Sequence, residues 1–141
     1  MQQQPAADLP IHGEVFSSDD FKSSCARLAG SRCGKCDEVF FPKRLACPRC
    51  HSPKFMSHEE LRAEGRIFAL THVAKPAALY SSPYLLALVD LENGPRILAQ
   101  VKGDPQRVRI GELVRLAIEP LFDTRDGRHV WGYRFEATGR M

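Results

Sequence analysis

Two cysteine pairs constrain this chain more than any other feature. Cys33-Gly-Lys-Cys36 and Cys47-Pro-Arg-Cys50 are each a C-x-x-C unit, and ten residues separate Cys36 from Cys47. Within each unit the two intervening residues form a tight turn that puts both sulfurs on one side, and a hairpin between the units brings them together as a tetrahedron. Cys33, Cys36, Cys47 and Cys50 are therefore predicted to hold one structural zinc ion. Four thiolates leave no open coordination position, so the metal stiffens the fold and activates no water. A segment this short cannot bury a sufficient core, and ~10–16 kcal/mol of apparent zinc-binding free energy makes up the shortfall. Iron is the main substitute in a four-sulfur tetrahedron. Disulfides and a redox dithiol are the competing readings. Disulfides fit a reducing cytosol poorly, and a redox motif needs a βαβ context that this sequence lacks.

Asp37 and His51 follow the two pairs, where the turn can require a positive φ that Asp and His tolerate better than most residues. His51 is thus a turn residue and not a fifth ligand. Cys25 lies outside the spacing and is expected to be a small buried hydrophobe.

A chain of 141 residues with 43% apolar composition buries one modest core, or a small barrel plus an appendage stabilised by other means. No stretch approaches the ~20 apolar residues of a membrane span, and the best run, Tyr84 to Val89, is strand-sized. A soluble, cytoplasmic protein is expected. Met1 to Pro10 is rich in Gln, Pro and Ala, without a basic start and apolar block, and suits a loose arm. The formal charge of +3 counts each cysteine as a neutral thiol, and four thiolates with one zinc bring it to about +1. Such a balance argues against a protein whose main task is coating nucleic acid. Basic residues still cluster locally: Arg32, Lys35, Lys43, Arg44, Arg49 and Lys54 face only Asp37 and Glu38.

The segment from Phe16 to Gly30 predicts a short helix, with Ser17 as N-cap, Phe16 stapled onto Phe21, and Phe21, Cys25 and Leu28 on one face. That apolar stripe is expected to dock on the rest of the chain or on a partner. After the cysteine segment come five strands, expected at Gly65–Val73, Tyr84–Leu91, Arg96–Lys102, Leu113–Glu119 and Val130–Ala137. Asn93-Gly94 and Asp126-Gly127 are hairpin signals. The whole is mainly β: an arm over 1–15, a docking helix over 16–30, a zinc module over 31–63, and over 64–141 a five-stranded barrel of the oligonucleotide/oligosaccharide-binding (OB) type.

No recognisable motif supplies a nucleophile or an acid/base pair. His12, His58, His72 and His129 are scattered, and Glu59, Glu60 and Glu64 suit a solvated linker face before the first barrel strand. Phe68, Tyr84, Trp131, Tyr133 and Phe135 are stacking platforms if the chain binds single-stranded nucleic acid. Alternation puts Trp131, Tyr133 and Phe135 on one strand face, where filling or covering the barrel is the simpler role.

The order of these pieces is more telling than any one. Phe41-Pro-Lys-Arg44 lies between the cysteine pairs, and a Gly65-led strand is followed by Pro83-Tyr-Leu-Leu-Ala-Leu-Val-Asp-Leu91, Gly94-Pro-Arg-Ile-Leu98 and Val108-Arg-Ile-Gly-Glu-Leu-Val-Arg115. From Phe16 to Ala137 the chain resembles the rubredoxin-like zinc ribbon plus OB-fold family of acyl-CoA-associated proteins. Members stand beside thiolases, thiolase-like acyltransferases and some enoyl-CoA hydratases, a benzoylsuccinyl-CoA thiolase among them. The resemblance implies a non-catalytic accessory subunit of a hetero-oligomer, supporting assembly and CoA binding while the partner carries the catalytic residues. A hydratase partner and a single-strand nucleic-acid-binding role are the alternatives. Asp37 and His51 replace the glycines usual after the cysteines, and Lys43 stands where a second proline is common. Lys43, Arg44 and Arg49 on the metal-pinned hairpin suit CoA phosphates. They suit an acidic partner surface or a solvated basic face equally.

Overall fold

The computed structural model describes residues 8–11, 14–18, 20–75, 83–92 and 94–141. Its strands are β1 (Leu9–Pro10), β2 (Ala29–Cys33), β3 (Val39–Phe40), β4 (Met56–Glu60), β5 (Glu64–Val73), β6 (Tyr84–Leu91), β7 (Arg96–Lys102), β8 (Leu113–Asp123) and β9 (His129–Ala137). β3, β2 and β4 form a small antiparallel sheet in that order. β5 to β9 form the barrel, with β5 paired to β6, β6 to β7, β7 to β9, β9 to β8 and β8 back to β5. The β7–β9 pair is parallel and the others are antiparallel. That circuit is the closed five-stranded arrangement expected of an OB-fold.

Alternation builds the barrel. On β6, Leu85, Ala87, Val89 and Leu91 are buried, and on β7 Ile97, Ala99 and Val101 are buried beside them. With Ile67, Val114 and Phe135 they make the core. Gly65 sits where the barrel closes, paired at once with Leu91 on β6 and Val114 on β8. A Cβ there would lie 2.5 Å from the Asp90 carbonyl oxygen, so only glycine fits. β8 runs past its expected end at Glu119 as far as Asp123. Pro120 lacks an N–H, and the ladder absorbs it as a register shift between Pro120 and Phe122. Between β8 and β9 the turn carries Gly127 at φ 85°, as the Asp-Gly signal requires. Asn93 of the other hairpin signal lies outside the described residues, as does His12.

Among the described residues the expected helix over Phe16 to Gly30 does not form. The Ser17 backbone N–H donates to the Arg27 carbonyl at 2.7 Å, and Ser17 Oγ accepts from the Arg27 N–H at 3.1 Å. Phe16 bridges to Leu28, and the Ala29 N–H donates to the Val15 carbonyl at 2.8 Å. The segment is a loop with zipped ends. Its serines bond locally, Ser18 Oγ to the Asp20 N–H and Ser23 Oγ to the Cys25 N–H, which competes with the helical ladder. Phe16 does stack on Phe21, with centroids 5.5 Å apart, but across this loop. The supposed stripe is not a face: Leu28 is fully buried, while Cys25 is exposed and not the buried hydrophobe expected.

One core spans both sheets. Leu28, Val39 and Leu61 pack in the same cluster as Ile67, Val89 and Phe135, and the Leu61 N–H donates to the Leu28 carbonyl at 2.9 Å. The acidic run is part of this construction and not a linker. Glu59 lies on β4 and accepts two bonds from Arg32, at 2.9 and 3.0 Å, while Glu64 accepts from Arg115 at 3.0 Å. A buried carboxylate that sequence patterning missed, Glu112, accepts from the backbone N–H groups of Arg109 and Gly139 and ties down the C-terminal segment.

Candidate metal centre

The two C-x-x-C units fold as the same turn twice. The Asp37 N–H donates to the Cys33 carbonyl at 2.8 Å, and the His51 N–H donates to the Cys47 carbonyl at 2.7 Å. Asp37 and His51 adopt φ 63° and 62°, the left-handed geometry that their positions require. Asp37 recovers part of that cost, because its carboxylate accepts from Arg32 Nη1 at 2.7 Å. The same guanidinium grips Glu59, so one side chain ties the first turn to β4.

The four sulfurs converge within 4.8 Å of one another, with Cys36 and Cys47 Sγ 3.6 Å apart. Zinc–sulfur bonds of about 2.3 Å in a tetrahedron set sulfur–sulfur edges of about 3.8 Å, so the arrangement fits the ion. The Cys50 N–H donates to Cys47 Sγ at 3.2 Å. The Cys36 backbone amide holds the Cys33 thiol down to about 7. Hydrogen bonding with Cys36 pushes the Cys50 thiol up to about 12. A divalent ion among these sulfurs would let all four become thiolates. Cys33, Cys36, Cys47 and Cys50 would hold structural zinc, whose chemistry here is to fix geometry.

The three basic residues expected to act together are divided. Lys43 and Arg44 line a groove of about 580 Å³ with Ser31, Leu45, Met56 and His58, and Glu14 also faces it. Neither cation has a salt-bridge partner among the described residues. The Arg44 N–H donates to Ser31 Oγ at 2.9 Å, which anchors this stretch to β2. Leu45 beside them is 93% exposed. Arg49 lies outside the groove and pairs with Glu38 at 3.1 Å.

The barrel aromatics are largely engaged within the chain. Phe135 is fully buried. Trp131 meets Phe21 at 5.7 Å, and Tyr133 meets Phe41 edge-on at 5.5 Å. Arg96 lies 3.4 Å over the ring of Phe68. The alternating face of β9 therefore joins the barrel to the loop and ribbon that precede it. Phe21 is part of that joint and not of a free docking stripe. No described helix is long and apolar enough to cross a membrane.

Two family models match the chain in the order of its parts. Residues 27–55 match the ChsH2 rubredoxin-like zinc ribbon domain, and residues 58–119 match the ChsH2 C-terminal OB-fold domain. A DUF35 domain-containing scaffold protein of Methanothermobacter thermautotrophicus is 31% identical over 113 residues, covering 77% of this chain and 85% of that protein. The benzoylsuccinyl-CoA thiolase subunit BbsA of Thauera aromatica is 32% identical over 108 residues, covering 77% of this chain and 74% of that one. The solved structure titled Ltp2-ChsH2(DUF35) aldolase matches with a TM-score of 0.60 and 25% identity, over 77% of this chain and 84% of that chain. With its ribbon, its barrel and their order all matched, the chain belongs to the ChsH2 family of paired zinc-ribbon and OB-fold domains, known among its relatives as DUF35.

Proposed function

We propose that this protein is a non-catalytic, zinc-stiffened scaffold subunit of a cytoplasmic thiolase-type acyl-CoA complex. The carrying observation is the ribbon itself. Its four sulfurs converge as a set that would saturate a zinc ion, and the loop between the two pairs presents Leu45, Lys43 and Arg44 outward. A closed site performs no hydrolysis, whereas a rigid tip with an apolar residue beside two cations is suited to holding another surface. The relatives named as scaffold protein and thiolase subunit support the same role. The partner would carry the nucleophile and the acid/base groups.

The reading extends to CoA. Lys43 and Arg44 share one groove and lack counter-ions among the described residues, so they are the cations available to CoA phosphates where the two subunits meet. Arg49 is engaged by Glu38 and is assigned a smaller share. An aldolase partner is the second reading, favoured by the matched aldolase structure.

The test is affinity purification from the native host under reducing conditions, followed by mass spectrometry and activity assays of the separated and rejoined chains. A thiolase-type chain should co-purify, and thioester turnover should require that chain. Turnover by this protein alone would end the proposal. Arg44→Glu should raise the apparent KM of the complex for its CoA thioester with little change in kcat, and an unchanged KM would remove the CoA contact.

A further inference from the structure

We infer that the outer face of β6 and β7 is a second docking surface, occupied in the assembled complex by a neutral, apolar segment of the catalytic partner. The inference rests on the scaffold reading above. From Tyr84 to Val89, β6 is apolar on both faces. Leu85, Ala87 and Val89 point into the barrel and are buried, while Tyr84, Leu86 and Leu88 alternate to the outside and are half-buried. A strand with one wet face ordinarily alternates apolar with polar residues. Opposite Leu88 on β7 stands Leu98, 59% exposed, and Phe68 of the neighbouring β5 is 50% exposed.

The chemistry of the face selects its occupant. Tyr84, Leu86, Leu98, Leu121 and Tyr133, with Gln100 as an uncharged polar group among them, line a groove of about 230 Å³. That is below the ~300–1,000 Å³ of small-molecule sites, and it suits one or two apolar side chains. The charges bordering the face are satisfied within the chain. Arg96 makes two bonds to Asp90, at 2.6 and 3.1 Å, and Lys102 is shared between Glu119 and Glu136 at 3.0 and 3.3 Å. Arg66 is turned to the Gly111 carbonyl at 3.1 Å. Such a neutralised rim complements an uncharged surface, where a nucleic-acid strand or an acidic peptide would find its cations already taken. The groove is also continuous with the ribbon. Its wall residue Tyr133 touches Phe41, two residues before Lys43, so one partner can rest on both.

The experiment measures binding of the full-length, zinc-loaded chain to its purified catalytic subunit. Leu98→Asn should weaken binding at least about tenfold, by the same factor at low and high salt, with zinc content and melting temperature unchanged. Leu98→Lys serves as a second variant if the first perturbs the fold. Unchanged binding by the folded variant overturns the docking face while leaving the scaffold reading intact. If the wild-type chain binds no thiolase-type subunit, the scaffold reading fails and this inference falls with it. A homodimer dissolved by Leu98→Asn with partner binding preserved would assign the face to a second copy and overturn the proposal, as would salt-sensitive loss of single-stranded DNA binding.

Discussion

The ribbon and the barrel are neighbours in one chain, yet they offset the entropy of folding by different means. In the ribbon, strands of five, two and five residues cannot enclose a core. The most deeply buried groups between Gly30 and Glu60 include the sulfur side chains of Cys33 and Cys47. In the barrel that place belongs to Phe135, Ile67, Ile97, Val89 and Val114. The outer surfaces differ in parallel. Among the described residues Lys43 and Arg44 of the ribbon have no salt-bridge partner, whereas the barrel pairs off Arg96 and Lys102 and leaves Leu98 in view. Metal chemistry therefore frees the ribbon from needing apolar residues, and cations can populate its tip. A self-sufficient barrel can carry apolar residues on a second face.

The sharpest break between the two regions should come from the metal. Cys47→Ser, or chelation, removes a contribution on the order of 10 kcal/mol. Amide protection should collapse over Ala29–Cys33 and Met56–Glu60 while persisting in β6 and β7, with zinc content read by elemental analysis. Next in size is Phe135→Ala, which should cost ~3–5 kcal/mol in chemical denaturation while the folded fraction still holds its zinc. Leu61→Ala, at the seam, should cost ~2–5 kcal/mol and lower protection on both sides. Loss confined to one side would show that the regions are uncoupled.

The smallest effect concerns His129, whose Nδ1–H donates to the Asp123 carboxylate at 2.6 Å. The hydrogen bond with Asp123 raises the His129 pKa above its ordinary value. The pair's stabilisation is therefore fully present below the unfolded-state pKa and is lost as pH rises through the higher folded-state value. An NMR titration should show the elevated midpoint, and Asp123→Asn should return it toward the ordinary range. Zinc binding should be indifferent to that substitution.

Much of this architecture was legible in the residues. The cysteine spacing, the left-handed Asp37 and His51, and strands β6 and β7 follow from local rules, because turn geometry and period-two burial act within a few residues. What escaped was set by distant partners. The Phe16 to Gly30 segment has helical spacing, but Ser17 and Phe16 bond to Arg27 and Leu28 across the loop. Glu59 looks like part of a solvated run until β4 pairs with β2 and brings Arg32 alongside. Lys43 and Arg44 looked equivalent to Arg49, and only the folded hairpin shows Glu38 claiming the third. β8 is expected to end at Glu119, just before Pro120, because sequence alone does not reveal that its pairing with β9 tolerates a bulge there.

The seam formed by Leu28, Val39 and Leu61 carries a cellular consequence. Since these side chains lie between ribbon and barrel, a molecule that fails to acquire its ion uncovers adhesive surface on the barrel as well as a slack loop. Newly made chains without metal should be captured by chaperones or degraded before they meet a partner. Zinc supply would then act as a checkpoint on how many finished assemblies a cell contains.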